Sequence, residues 1–252
     1  MALGGAEPDG RADLIGRERF AAALGGEGVV FAPYVWERLP EFVHQPATDW
    51  WRDGTTARRL LVDAASLAGA DAMVVDACGE ALRAVAAGGP GIDVLDGFAD
   101  TEDARGAFAL VEVLVASAPF AVVARLPDLD TLAGSLGGGE PEAEDVAEDA
   151  LSDLARGFLE AGADALLVMG PDAAAVGAAA ARVAGVAQYY GRPLLAVAAG
   201  SEAWVEGRDG VEVRILGDDG VWPSLSAGVV LTEDVSTSWD AGRLAEVGRG
   251  AR

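Results

Sequence analysis

One short phrase occurs twice in this chain and constrains the fold more than any other feature. Ala68-Gly69-Ala70-Asp71-Ala72 leads into the apolar run Met73-Val74-Val75, and Ala161-Gly162-Ala163-Asp164-Ala165 leads into Leu166-Leu167-Val168. Each copy follows an Ala-rich helical stretch. A glycine just past a helix closes it in the left-handed conformation, and a strand then starts. The phrase is a helix-to-strand junction used twice, which is the mark of a repeated βα unit. Apolar runs alternate with Ala-rich stretches along most of the chain. Residues 29–36, 72–77, 120–126, 165–169, 194–199, 211–216 and 228–231 read as strands, and 92–98 as a weaker strand or loop. Residues 55–67, 102–117, 142–160, 173–189 and 240–247 read as helices, with Thr55 the expected N-cap of the first. The 120–126 run has almost no polar alternation, so it is expected to be buried on both faces.

Alternating strands and helices with buried strands mean a parallel sheet. About eight strand candidates in 252 residues fit an α/β fold of the TIM-type (β/α)8 barrel, whose usual length is roughly 250 residues. An open doubly wound sheet is the alternative, but no strand is followed by a Gly-rich phosphate-binding turn. No domain boundary stands out. The expectation is one barrel domain over 1–252, with 1–14 a flexible start.

Composition then removes whole chemistries. The formal charge is −23, all 18 cations are arginine, and lysine and asparagine are absent. Lysine Schiff-base catalysis is impossible. With one histidine, His44, and one cysteine, Cys78, neither a four-ligand structural zinc site nor an internal disulfide can form. An acidic surface argues against nucleic acid as a partner. The longest apolar stretches carry Glu112 and Arg182, so no membrane partner is expected. Residues 1–13 lack the basic and apolar regions of a signal peptide. A cytoplasmic protein is expected, with function resting on Asp, Glu, Arg and aromatic side chains.

Several blocks carry a family resemblance over roughly residues 15–200. Arg17-Glu18-Arg19-Phe20 with Ala23-Leu24 and Gly26-Glu27 looks like an "R-x-R-F-x-x-A-L-x-G-E" start. Val35-Trp36 and Leu39-Pro40-Glu41-Phe42 look like "P-V-W" and "L-P-E-Y" blocks, and Thr131-Leu132-Ala133 with Leu136 like "T-L-A-S-Y-L". Together, in this order, they resemble the uroporphyrinogen decarboxylase superfamily, which also holds zinc-dependent, corrinoid-linked methyltransferases. The resemblance implies a barrel with its active site in the mouth, and it makes Asp76 the nearest match to the family aspartate that contacts substrate. The methyltransferase zinc set, His-x-Cys with a distant Cys, cannot be formed here. Ser135 stands where the family has tyrosine, and only Glu37 and Arg38 fill the interval of the family's arginine-bearing loop.

In barrels of this kind the site is built at the C-terminal ends of the strands. That rule selects Asp76 and Arg125 as catalytic candidates. Arg125 ends an apolar run, where a charge is costly unless paired or facing the mouth. It could clamp an anionic group bidentately. Asp76 follows Met73-Val74-Val75 and could move or stabilise a proton. Candidate substrate-binding residues are Tyr34, Trp36, Arg38, His44, Asp128, Asp172 and Glu202. No metal ligand and no cofactor is assigned. The sequence points to a metal-free lyase of decarboxylase type acting on a small anionic organic molecule. Alternatives are a C1 or methyl transferase without the zinc ligands, and a non-catalytic metabolite-binding or complex subunit. A homo-oligomer or a corrinoid-protein partner belongs with these readings.

Overall fold

The computed structural model describes residues 15–39, 50–198, 202–205, 211–216, 227–232 and 246. The expected flexible start, His44 and the 240–247 helix (Glu246 apart) lie outside the described residues. The chain is a mixed α/β fold. Its strands are β1 (Gly28–Ala32), β2 (Ala72–Val75), β3 (Ala121–Leu126), β4 (Ala165–Gly170), β5 (Leu194–Ala198), β6 (Glu202–Val205), β7 (Glu212–Leu216) and β8 (Ala227–Thr232). Its α-helices are α1 (Ile15–Leu24), α2 (Gly54–Ala68), α3 (Ala77–Ala87), α4 (Ile92–Asp96), α5 (Glu102–Ser117), α6 (Leu129–Leu136), α7 (Ala143–Glu160) and α8 (Ala173–Tyr189).

The strands form two sheets. One has the order β2-β3-β4-β5-β6, parallel except for β6, which returns antiparallel to β5. The other has the order β1-β8-β7 and is parallel throughout. The sheets adjoin where Asp71 donates its backbone N–H to the Phe31 carbonyl, at 3.0 Å. β6 lies beside β7. All four residues of β2 and all five of β5 are buried, as expected of parallel strands covered on both faces.

Both copies of the repeated phrase do the same work. Gly69 (φ 62°) and Gly162 (φ 93°) turn the chain in the left-handed region. The aspartate that follows reaches the neighbouring strand twice. Asp164 donates its N–H to the Val122 carbonyl and accepts the Val122 N–H on its side chain, both at 2.9 Å. Asp71 does the same with Phe31, its side chain accepting at 3.4 Å. Each aspartate also meets an arginine of α1: Arg19 reaches Asp71 at 2.7 Å and Arg17 reaches Asp164 at 3.3 Å. The Arg-x-Arg block therefore fastens α1 across the strand starts.

Two expectations need correction. Residues 92–98 are not a strand: α4 covers most of them, and a 3-10 turn follows at Phe98–Asp100. Leu95 and Phe98 are its buried residues, three apart as on one helical face rather than alternating. The N-cap of α2 is Asp53, which accepts the Thr55 N–H at 3.1 Å and the Thr56 hydroxyl at 2.6 Å. Carboxylate and hydroxyl compete for that position, and the carboxylate reaches both donors. Trp50 and Trp51 are both buried, and Trp50 packs on Trp36 with ring centres 4.7 Å apart.

Candidate functional site

Strand register brings the central residues together. Val75 of β2 lies across from Ala124 of β3, so the next residues, Asp76 and Arg125, are neighbours at the C-terminal ends. Ala32 of β1 lies across from Leu231 of β8, and just beyond, the Tyr34 N–H donates to the Thr232 hydroxyl at 2.8 Å. Tyr34 thereby leans over the same spot from the other sheet.

There the three side chains share one oxygen. Asp76 Oδ2 accepts the Tyr34 hydroxyl at 2.8 Å and Arg125 Nη1 at 2.5 Å. The same Nη1 donates to the Tyr34 hydroxyl oxygen at 2.9 Å, and the guanidinium stands 5.1 Å from the Tyr34 ring centre. Asp76 Oδ1 caps α3 by accepting the Gly79 N–H at 3.0 Å. A Cβ at Gly79 would come within 2.6 Å of that oxygen. Glycine is therefore needed for the carboxylate to sit on the helix start. Arg125 has one demand unmet: its Nε–H is buried with no hydrogen-bond partner.

Electrostatics follow from burial and pairing. Burial, then the adjacent Asp76 carboxylate, hold the Tyr34 phenol far above the ordinary tyrosine range, against the opposing pull of Arg125. Tyr34 is a neutral donor at any physiological pH. Burial works to lower the Arg125 pKa, but Asp76 and Tyr34 outweigh it and leave the guanidinium more firmly charged than usual. Cys78 lies close by and is buried; burial first, and Asp76 second, raise its thiol well above the ordinary 9.0. The sign follows: stability from the protonated thiol is complete below the ordinary value and falls as pH climbs through it toward the raised one. Iodoacetamide at about pH 8.5 is expected to leave Cys78 untouched in the native protein and to label it fully in urea. Fast native labelling would show that the thiol is not sealed.

Asp76 and Arg125 open onto a cleft of about 290 Å³. Its lining includes Asp76, Arg125, Glu37, Arg83, Thr131 and Ser135, with Leu82, Ala86 and Pro127 as an apolar wall. Arg83 of α3 reaches Glu80 at 2.9 Å and Glu37 at 3.7 Å. Trp36, fully buried, donates its indole N–H to Glu80 at 3.3 Å.

Other candidates fall elsewhere. Arg38 shares the 3-10 turn Trp36–Arg38, and Arg83 is the second guanidinium in the lining. Asp128 is buried and caps α6 through the Thr131 N–H at 2.7 Å, its Oδ2 lacking a partner. Asp172 caps α8, accepting the Ala174 and Ala175 N–H groups at 2.9 Å. Glu202 begins β6; its side chain, like all of His44, lies outside what is described. Arg83 was missed by the rule of strand ends. Its signal was helical spacing, since Gly79, Leu82, Arg83 and Ala86 recur at three and four residues on one face of α3. Among the described residues, no three His, Cys, Asp or Glu side chains gather as a metal-binding set, and no helix is long and apolar enough to cross a membrane.

Against known proteins the chain stands apart: no protein-family model, no curated protein and no solved structure matches it.

Proposed function

We propose that the strands close into a TIM-type barrel of the uroporphyrinogen decarboxylase kind, with the chain acting as a lyase on a small carboxylate-bearing molecule at its mouth. The junction of β1 with β2 and the proximity of β6 to β7 support closure. The observation that carries the activity is the Tyr34–Asp76–Arg125 constellation, of which Asp76 and Arg125 line the cleft. A charged, mutually hydrogen-bonded cluster at strand ends, beside a cavity, is where lyase chemistry is built in such folds.

In this reading Arg125 anchors a substrate carboxylate and stabilises negative charge that develops beside it. Asp76, hydrogen-bonded by the Tyr34 hydroxyl, moves the proton at Oδ2. In the decarboxylase form, a second carboxyl of the substrate leaves as carbon dioxide. The electron pair of the broken C–C bond stays on carbon, and a proton delivered through Asp76 quenches it. One histidine and one cysteine in the whole chain leave no nitrogen- and sulfur-donor set for a zinc ion.

The test is a panel of small mono- and dicarboxylates incubated with the purified chain and followed by carbon NMR for loss of a carboxyl or another lyase product. At least one should be turned over, and Arg125→Lys should slow it about 100-fold or more, because the planar two-pronged donor is lost. If no member is converted and none protects the protein against thermal unfolding, the proposal fails.

A further inference from the structure

The charges lining the cleft are balanced, and the balance points to the ligand. Two carboxylates, Glu37 and Asp76, face two guanidiniums, Arg83 and Arg125. Asp76 is already taken up by Tyr34, Arg125 and Gly79. Arg83 is turned to Glu80 and Glu37. Arg125 commits Nη1 inward and keeps an Nε–H without an acceptor. Glu37 sits at the wetter side, its side chain 47% exposed, with Arg83 at 3.7 Å. That part of the carboxylate in water is where an arriving cation can meet it. Glu37 and Arg125 line the same cleft.

Net charge then separates the possible ligands. A dianion would enter a cleft with no positive excess, in a chain at −23, against an unfavourable field. A zwitterion carries no net charge and satisfies both ends. We propose that the cleft binds an α-amino acid, with its carboxylate on the part of the Arg125 guanidinium that lines the cleft and its ammonium on Glu37. The side chain would lie along Leu82, Ala86 and Pro127, and Thr131 and Ser135 of the lining supply hydroxyls. A volume of about 290 Å³ is at the small end of ligand pockets, which suits a molecule of this size. The inference rests on the anchoring role proposed for Arg125; an amino acid with one carboxylate has no second carboxyl to lose, so it takes the lyase reading in a form other than decarboxylation.

Calorimetric titration with three probes tests it: L-leucine, 4-methylpentanoate, which lacks the ammonium, and 3-methylbutylamine, which lacks the carboxylate. Leucine is expected to bind at least about tenfold more tightly than either truncated probe, a difference of about 1.4 kcal/mol. Glu37→Gln should bring leucine down to the level of 4-methylpentanoate and leave the latter unchanged. Arg125→Gln should abolish binding of both carboxylates, and Arg125→Lys serves in its place if thermal unfolding shows that the glutamine variant does not fold. Leucine binding no more tightly than 4-methylpentanoate overturns the amino-acid proposal alone and leaves the anchoring role standing. Carboxylate binding that survives both Arg125 variants overturns the anchoring role as well. Failure of leucine and of every other proteinogenic amino acid to bind also overturns the proposal.

Discussion

Arg125→Ala is expected to cost the fold about 3 kcal/mol, because it strands a buried carboxylate. The Asp76 side chain is 2% exposed and that of Arg125 24%. Removing the cation leaves Asp76 with the Tyr34 hydroxyl and the Gly79 N–H but no compensating charge. Asp76→Asn alone should also destabilise, since it leaves a partly buried guanidinium facing a neutral amide. The double variant should cost less than the sum of the two, with a coupling of about 2 kcal/mol, within the range for charged groups in direct contact. Urea denaturation of the four proteins closes the cycle. Additivity to within about 0.5 kcal/mol would mean that the ion pair is not the element holding these strand ends together.

The second large effect concerns a glycine. A Cβ on Gly170 would overlap Asp128 Oδ2. Asp128 cannot retreat without cost, because it is buried and its other oxygen caps α6 through Thr131. Gly170→Ala must therefore either overpack the β3 and β4 ends or break the cap. Overpacking costs about 1–3 kcal/mol and a lost cap about 1 kcal/mol, so a loss of about 1–3 kcal/mol is expected. Thr131 also lines the cleft, so ligand binding should weaken with it. Gly177→Ala on α8 is the control. A Cβ there meets nothing within 4 Å, and the change should stabilise by up to about 1 kcal/mol. Asp128→Ser, which keeps a capping oxygen on a shorter side chain, should recover part of the Gly170→Ala loss. Equal melting temperatures for the two alanine variants would remove the steric argument.

Much of this arrangement was legible in the residues. The buried strands declared themselves as unbroken apolar runs, and the repeated Ala-Gly-Ala-Asp-Ala phrase marked two junctions with their capping glycines. Arg125 stood out because a charge closing an apolar run needs a partner, and Asp76 because it closes the neighbouring run. What could not be read was register. Only the pairing of Val75 with Ala124 makes those two residues neighbours, and only the turn after β1 delivers Tyr34 to them. Asp128 and Asp172 illustrate the other limit. A carboxylate just after a strand is equally at home in a ligand site or at the next helix start, and composition does not distinguish them. The helix α4 was misread because five residues, Ile92–Asp96, are too few for periodicity to separate it from a strand.

The tie between α1 and the two strand-start aspartates bears on how the chain assembles as it is made. Synthesis runs from the N-terminus, so α1 emerges first, with none of its partners. Arg19 finds Asp71 once β2 is out. Arg17 then meets the Val115 and Phe120 carbonyls, at 2.6 and 3.3 Å, as β3 follows, and Asp164 only when β4 arrives. α1 is thus held by all of these contacts only once β4 is out, and its grip tightens in step with the growing sheet. A nascent chain paused before residue 164 would hold α1 by fewer bonds than the finished protein. Protection of α1 from proteolysis would then report how far the strands had docked.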